Sequence, residues 1–361
     1  MKQKHGGNIE SVAKKYNLHS DNIIDFSANI NFVGPPPDVY SRLKDNLESI
    51  TKYPEVNSGK LKKKLSEKYG FKKENYIVGN GAVELIYILV KALNPKRSLI
   101  YAPTFSEYEK ALKTVNSEIE YHYLKKEYQF DLQIEKLKAE LTDNIDLFFL
   151  CNPNNPTGKF ISKKEVKQIL KHNEKHNIFT VIDEAFVDFV ERNISAKSLL
   201  KEYDKLFILR SLTKFFAIPG LRLGFGIGTP SLIEKMNGFK DPWNVNVLAQ
   251  KAGEIILKQD EYIKLTKKAI YNEKLFLYKE LKKFENIEVY YPNANYIFID
   301  LKGTDFTSTE VYENLAKEGI LIRNCSNYKG LDQNYIRIAV KSRKDNNKLL
   351  EHLKSLFIIN N

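Results

Sequence analysis

Ile178-Phe-Thr-Val-Ile182-Asp183-Glu184 decides the fold. The run up to Ile182 is continuously apolar or β-favouring, with no polar alternation. That pattern suits a strand buried on both faces, and such strands belong to parallel sheets covered by helices. Asp183 then falls at the strand's carboxyl end, where open α/β sheets assemble their sites. Upstream lie a helix-patterned stretch at 163–176 and a second apolar run, Ile145-Asp-Leu-Phe-Phe-Leu150. Farther back, Tyr76-Ile-Val78 precedes an apolar helical run at 82–93, and Ser98-Leu-Ile-Tyr101 precedes a helix near Glu107. Downstream, Leu206-Phe-Ile-Leu209 and Leu223-Gly-Phe-Gly-Ile227 add two strands. The alternation predicts an α/β fold with a mostly parallel, doubly wound sheet.

After Pro242 the pattern changes. A long helical region is expected over 247–284, with Ile255, Ile256, Tyr262, Leu265, Ile270, Leu275 and Leu281 at helical spacing. A small α+β unit follows, with strands at Ile287-Glu-Val-Tyr290, Tyr296-Ile-Phe-Ile299, Ile320-Leu-Ile322 and Tyr335-Ile-Arg-Ile338, and helices near 308–317 and 345–357. The start of the chain, with Asp25-Phe-Ser-Ala-Asn29-Ile-Asn31 and Pro35-Pro36-Pro37, reads as an arm and linker outside the main sheet. The expected organisation is an arm at 1–45 packing with the small domain, a large domain at 46–260 and a small C-terminal domain at 261–361.

With 361 residues, 42% of them hydrophobic, the chain can bury a large core without disulfides. Cys151 and Cys325 match no metal or redox spacing and read as packing residues; no metal is expected. No signal-peptide pattern and no membrane-length apolar run is present, so a cytoplasmic protein without membrane contact is expected. The net charge of +12 comes from lysines scattered through amphipathic segments such as Lys60-Leu-Lys-Lys-Lys-Leu-Ser-Glu-Lys68, expected to be a solvated helix face. No nucleic-acid motif accompanies it. Against so many lysines, Arg222, Arg323 and Arg337 stand out, because a guanidinium offers a planar, always-charged fork for carboxylate or phosphate.

Ser211-Leu-Thr-Lys214-Phe-Phe-Ala-Ile-Pro-Gly-Leu-Arg222-Leu-Gly224 places a lysine among small hydroxyls and ahead of an arginine in a glycine-bracketed turn. This is the layout of a Schiff-base lysine beside a phosphate site. Pyridoxal phosphate requires an amine for its aldehyde, hydroxyls and a guanidinium for its phosphate, and a carboxylate for its ring nitrogen; Asp183 is the carboxylate candidate. Asp183-Glu184 after an apolar strand also resembles the metal-holding strand of a nucleotide hydrolase, but neither Gly59-Lys60 nor Gly158-Lys159 completes a phosphate loop. Gly79-Asn-Gly-Ala82-Val-Glu84 lies between strand and helix, where free amides receive a phosphate; Glu84 replaces the third glycine of a dinucleotide fingerprint. Asn152-Pro-Asn-Asn155-Pro-Thr-Gly158 forms a fixed loop that can aim Asn155 at a bound ring, and Phe105 could stack on one.

Taken in order, Gly79-Asn-Gly-Ala82, Asn152-Pro-Asn-Asn-Pro-Thr-Gly158, Asp183-Glu-Ala-Phe186, Ser211-Leu-Thr-Lys214 and Arg222 resemble the fold-type-I, aspartate-aminotransferase-like pyridoxal-phosphate enzymes over nearly the whole chain. The resemblance implies that Lys214 holds the cofactor covalently, Asp183 pairs with its ring nitrogen and Asn155 bonds its phenolic oxygen. It also implies that Gly81, Ala82, Ser211, Thr213 and Arg222 hold the phosphate, that Phe105 stacks on the ring, and that Tyr53 reaches in from the second subunit of a homodimer.

Two subfamilies of that group compete, the L-threonine-O-3-phosphate decarboxylases of cobalamin synthesis and the histidinol-phosphate aminotransferases. The decarboxylases are the nearer likeness, through His5-Gly-Gly-Asn8, Asp25-Phe-Ser-Ala-Asn29-Ile-Asn31, Asp183-Glu-Ala-Phe-Val-Asp-Phe189, Pro242-Trp-Asn-Val-Asn246 and Ile320-Leu-Ile-Arg-Asn-Cys325. The aminotransferases usually carry tyrosine where Phe186 stands. The likeness implies substrate contacts from His5, Gly6, Asn29, Asn155, Arg323 and Arg337, with Arg337 on the carboxylate and Arg323 on the phosphate of a phosphorylated amino acid. Residue chemistry leaves decarboxylation and transamination both open, because both use the same lysine, aspartate and phosphate cup. A catalytically silent regulatory protein on the same fold is disfavoured by the joint presence of Lys214 and Asp183.

Overall fold

The structure is a computed structural model that describes residues 6–358. A two-residue strand, Ile24–Asp25 (β1), precedes Tyr76–Asn80 (β2), Arg97–Ala102 (β3), Glu118–Tyr123 (β4), Leu147–Cys151 (β5), Phe179–Asp183 (β6), Leu206–Ser211 (β7) and Leu223–Ile227 (β8). From β2 to β8 these form one sheet in the order β2-β8-β7-β6-β5-β3-β4. Every pairing is parallel except those of β8, which runs antiparallel to β2 and β7. The chain enters β8 from β7 through a short loop with a 3-10 turn at Pro219–Leu221 and no crossover helix, so it returns antiparallel. All five positions of β5 are buried, as expected of a strand covered on both faces.

The order of strands reverses between β3 and β5, since β4 lies outside β3 while β6 and β7 lie on the other side. A crevice opens beyond the carboxyl ends at such a point. Helix Ala82–Leu93 covers the sheet with seven buried residues, and Lys163–Lys175 is started by a reciprocal cap between Ser162 and Glu165.

The region expected as one helix over 247–284 is two helices, Val247–Ile256 and Asp260–Leu281. The break lets Ile256 and Leu257 stay in the main core while Leu277 and Leu281 reach a second core. Asp260 and Glu261 suit the positive amino end of the new helix. Around that second core lie Glu288–Val289 (β9), Tyr296–Asp300 (β10), Ile320–Leu321 (β11), Arg323–Asn324 (β12) and Tyr335–Ala339 (β13). Four of them form an antiparallel sheet in the order β12-β13-β10-β9. β11 pairs instead with β1, and Phe26 is buried in the same core, which fastens the arm there. The arm is more structured than a linker, with helices at Ile9–Tyr16 and Pro37–Lys44.

The lysine-rich helix Gly59–Tyr69 departs from a wholly solvated face, because Lys62 is buried beside Leu61 and Leu65. Burial, aided by the charge of Lys240, pushes its ammonium down to about 8.

Candidate active site

Lys214 stands just beyond β7, in the crevice. Its Nζ lies 3.3 Å from Ser211 Oγ, which lies 2.9 Å from Thr213 Oγ1. The ammonium also sits 5.1 Å from the ring centre of Phe186. Burial lowers the Lys214 pKa; Asp183 opposes this, while Arg222 and Arg337 add to it. A lysine poised in this way keeps a larger neutral fraction, the form that attacks a carbonyl. The arm closes over the same residue, with the Asn31 N–H donating to the Lys214 carbonyl at 3.1 Å and Asn31 Nδ2 to the Phe215 carbonyl at 2.8 Å.

Asp183 ends β6 opposite Cys151 of β5 and is 5% exposed. Its Oδ1 accepts the Ala185 N–H at 2.8 Å, and its Oδ2 accepts the Tyr108 hydroxyl at 2.6 Å. Burial raises its pKa, and the Tyr108 bond is foremost among the interactions that hold it back. Tyr108 stacks on Phe149 at 4.8 Å and meets Phe105 edge-on at 5.7 Å. The sequence reading passed over Tyr108. Its signal was position, because it lies one helical turn after Phe105, just beyond the carboxyl end of β3.

The loop at 152–158 is held from within. Asn152 exchanges two hydrogen bonds with Ile161 at 3.0 and 2.9 Å, and Asn154 bonds Thr104, Pro103 and Thr157. Tyr296 donates to the Asn154 carbonyl at 2.7 Å. Asn155, 7% exposed, is thereby presented to the crevice, where its Oδ1 accepts from Arg337 Nη1 and from Tyr328.

Gly81, Ala82 and Arg222 converge at the start of helix Ala82–Leu93. Gly81 has φ 78°, and a Cβ there would stand 2.5 Å from Arg222 Nη2. Gly224 lets β8 approach equally closely, since its Cβ would meet the Ala82 nitrogen at 2.4 Å. Glu84 closes the turn by accepting the Asn80 N–H at 2.7 Å and Asn244 Nδ2 at 2.6 Å. Among the described residues no acid pairs with the Arg222 guanidinium. Helix amides, two hydroxyls and an unneutralised guanidinium are the groups that a phosphate would need there.

Arg323 and Arg337 are direct cross-strand partners on β12 and β13, 4% and 5% exposed. Arg337 Nη2 donates to the Ser27 carbonyl at 2.5 Å, and its buried Nε has no partner among the described residues. Arg323 Nη2 donates to Asn327 Oδ1 at 2.7 Å. Like charges set directly opposite repel, so this pair favours an anion with two charged ends. Arg323, Asn327, Tyr328, Thr104 and Phe105 line a cavity of about 310 Å³.

Gly6 abuts the arm at Ser27, where a Cβ would clash at 2.3 Å, and Gly7 N–H donates to Ser27 Oγ at 2.9 Å. Asn29 is buried, its Oδ1 without a partner among the described residues, while its carbonyl accepts from Asn295. His5 lies outside the described residues. Tyr53 is not drawn into this group; it is 80% exposed and stacks on Trp243 at 4.7 Å. Phe105 lines the cavity and meets Tyr108 edge-on.

These residues fit pyridoxal phosphate. Among the described residues Arg222 lacks a protein anion, Gly81 leaves out the side chain that would strike that guanidinium, and Lys214 lies near the buried Asp183 carboxylate and near Arg337, which holds the Asn155 amide. Among the described residues, no metal-binding cluster and no helix long and apolar enough to cross a membrane is present.

Known proteins resemble this chain over nearly its whole length. The pattern of the aminotransferase class I and II family matches residues 21–353. A protein of Caldanaerobacter subterraneus subsp. tengcongensis named for threonine-phosphate decarboxylase activity is 40% identical over 348 residues, 94% of each chain. The threonine-phosphate decarboxylase of Salmonella typhimurium is 35% identical over 353 residues, covering 98% of this chain and 96% of that one. Among solved structures, the histidinol-phosphate aminotransferase of Clostridium acetobutylicum superposes with a TM-score of 0.86 at 33% identity, covering 92% of this chain and 98% of that one.

Proposed function

The chain belongs to the aminotransferase class I and II family, and from that premise we propose that it is a pyridoxal-phosphate-dependent decarboxylase. Its reaction is conversion of L-threonine O-3-phosphate to (R)-1-amino-2-propanol O-2-phosphate and carbon dioxide, a step of cobalamin biosynthesis. The observation that carries the reading is the cross-strand pair Arg323 and Arg337 beside Lys214's crevice, because phosphothreonine has an anionic group at each end. Arg337, whose Nε has no partner among the described residues, takes the carboxylate. Arg323 takes the phosphate.

When bound, pyridoxal phosphate supplies an electron-accepting ring conjugated to the substrate's Cα. Arg337 orients the carboxylate so that the bond to be broken overlaps that ring. Asp183, ionised, holds a proton at the ring nitrogen. Lys214, in its protonated form, would give a proton to Cα as carbon dioxide leaves, and solvent water would replace that proton, the one proton that decarboxylation consumes; its lowered pKa eases the transfer. Phe105 stacks on the ring, and Gly81, Ala82, Ser211, Thr213 and Arg222 hold the phosphate. Gly6, Asn29 and His5 complete the substrate side from the arm.

A homodimer belongs to the same reading. Tyr53 and Trp243, both exposed, form an aromatic face suited to a second copy, with Tyr53 reaching the partner's phosphate cup. The division at 45 and 260 and a cytoplasmic location are proposed with it; the core around Leu277, Ile299 and Leu349 supports a separate C-terminal unit, although Val39, Tyr262 and Ile270 pack in the main core.

The test offers phosphothreonine to holoenzyme with and without 2-oxoglutarate, following carbon dioxide and glutamate. Carbon dioxide release independent of 2-oxoglutarate is expected. Glutamate without carbon dioxide overturns the decarboxylase in favour of an aminotransferase.

A further inference from the structure

We propose that Tyr328 is a positioning residue for the cofactor's phenolic oxygen, acting through Asn155; the inference rests on the pyridoxal-phosphate reading above. Asn155 Oδ1 accepts from two donors, Arg337 Nη1 and the Tyr328 hydroxyl, the latter at 3.3 Å. Arginine has no acceptor, so the face of the amide turned toward Arg337 must be its oxygen. Both lone-pair directions of that oxygen are then in use. The Nδ2 group points away from both donors and has no hydrogen-bond partner among the described residues, although Asn155 is only 7% exposed. An open donor pair on an otherwise buried side chain is aimed at something that enters the crevice.

Tyr328 is well placed to hold that orientation. It is 8% exposed, in a turn closed by its own N–H to the Cys325 carbonyl at 3.0 Å and by the Leu331 N–H to its carbonyl at 3.1 Å. The Arg323 guanidinium lies 4.9 Å from its ring centre. One side chain thus touches one substrate arginine with its face and, with its hydroxyl, the amide that the other arginine also holds. Across the crevice, Phe186 presents only a ring, seated edge-on against Tyr296 at 5.1 Å and facing Lys214. Phe186 carries no hydroxyl to share the work. The bond from Asn155 Nδ2 to the cofactor oxygen therefore depends on how firmly Tyr328 and Arg337 hold the amide.

The experiment is a spectrophotometric pH titration of the Lys214-linked chromophore in Tyr328→Phe holoenzyme. Phenylalanine keeps the ring under Arg323 and removes only the hydroxyl. A hydrogen bond to an anionic oxygen favours its charge, so loosening the bond raises the pH at which the chromophore loses its proton. A rise of about half to one pH unit is expected, the size of one weakened hydrogen bond. In an Asn155→Ala background the same substitution is expected to move the midpoint by less than about 0.2 unit, the coupling that a double-mutant cycle detects. Equal midpoints for Tyr328→Phe and the unsubstituted protein overturn the inference. A full shift that persists without Asn155 also overturns it, because Tyr328 then acts by another route. A shift in melting temperature with no shift in midpoint marks a structural role only and counts against it. If borohydride traps no cofactor on Lys214, the function reading itself falls; a trapped cofactor with an unmoved midpoint removes Tyr328's role alone.

Discussion

Replacing Tyr108 with phenylalanine removes one hydroxyl from behind the site and tests how Asp183 is kept charged. Asp183 is buried, which raises its pKa, and the Tyr108 bond at 2.6 Å is the first of the interactions that restrain the rise. A hydrogen bond to a charged group contributes about 1.5–3 kcal/mol, and 1.36 kcal/mol corresponds to one pKa unit, so its loss should raise the carboxyl by about 1–2 units. The Ala185 N–H remains as the other bond to Asp183. The acid limb of kcat should therefore move up by about 1–2 pH units, and kcat measured on that limb should fall by about 10–100-fold. The KM for phosphothreonine should change less than about twofold, because Tyr108 touches the cofactor's aspartate and not the substrate arginines. Stability carries an independent readout. A carboxyl whose folded pKa is raised favours the fold below its unfolded pKa and loses that contribution as pH rises through the folded value. The Tyr108→Phe apoprotein should thus be less stable than the parent at pH 7 by about 1.5–3 kcal/mol, with the gap narrowing as the pH falls through the variant's raised carboxyl range. Pre-steady-state decarboxylation and denaturant melts across pH 5–8 (roughly the ionisation window of a raised carboxyl) measure both. An unmoved acid limb with kcat within about twofold of the parent would refute the claim that Tyr108 sets the charge of Asp183.

Arg337→Ala should lower kcat/KM for phosphothreonine by about 30–1,000-fold while cofactor affinity, read by equilibrium dialysis, falls by less than about tenfold, since the charge-assisted contact belongs to the substrate and Arg337 reaches the cofactor only by orienting Asn155. A parallel loss of cofactor affinity would contradict the assignment of Arg337 to the carboxylate. Lys62→Met should stabilise the protein by on the order of 2 kcal/mol at pH 7, because burial pushes the Lys62 ammonium down to about 8 and the fold must bear its charge below that pH. A depressed folded pKa contributes stability above the unfolded value and loses it as pH falls, so the gain over the parent should fade between about pH 8 and 10.5; equal melting temperatures at pH 7 would refute it.

Much of the architecture was readable because burial leaves a direct mark on composition. The apolar run before Asp183 announced a two-sided strand, and β5 and β6 occupy the middle of the parallel sheet. The break at 257–259 was not readable, since no proline or glycine stands there and the apolar spacing continues through it. What ends the first helix is a demand from two separate cores. The burial of Lys62 was hidden for the same reason: helical spacing alone does not say how closely Lys240 and Glu74 approach that face.

The sequence by itself determined the fold class, the family and the chemical inventory: a lysine among hydroxyls, a carboxylate at a strand end, a glycine turn before a helix and three conspicuous arginines. Those are local facts, carried by residue type and short-range order. Which side chains meet was decided only in three dimensions. Arg323 and Arg337 face each other because β12 and β13 pair in one register, Tyr108 meets Asp183 from a helix beyond β3, and Tyr328 meets Asn155 although 173 residues separate them. Such contacts follow from strand register and from packing between the two cores, and neither leaves a trace in the neighbouring sequence.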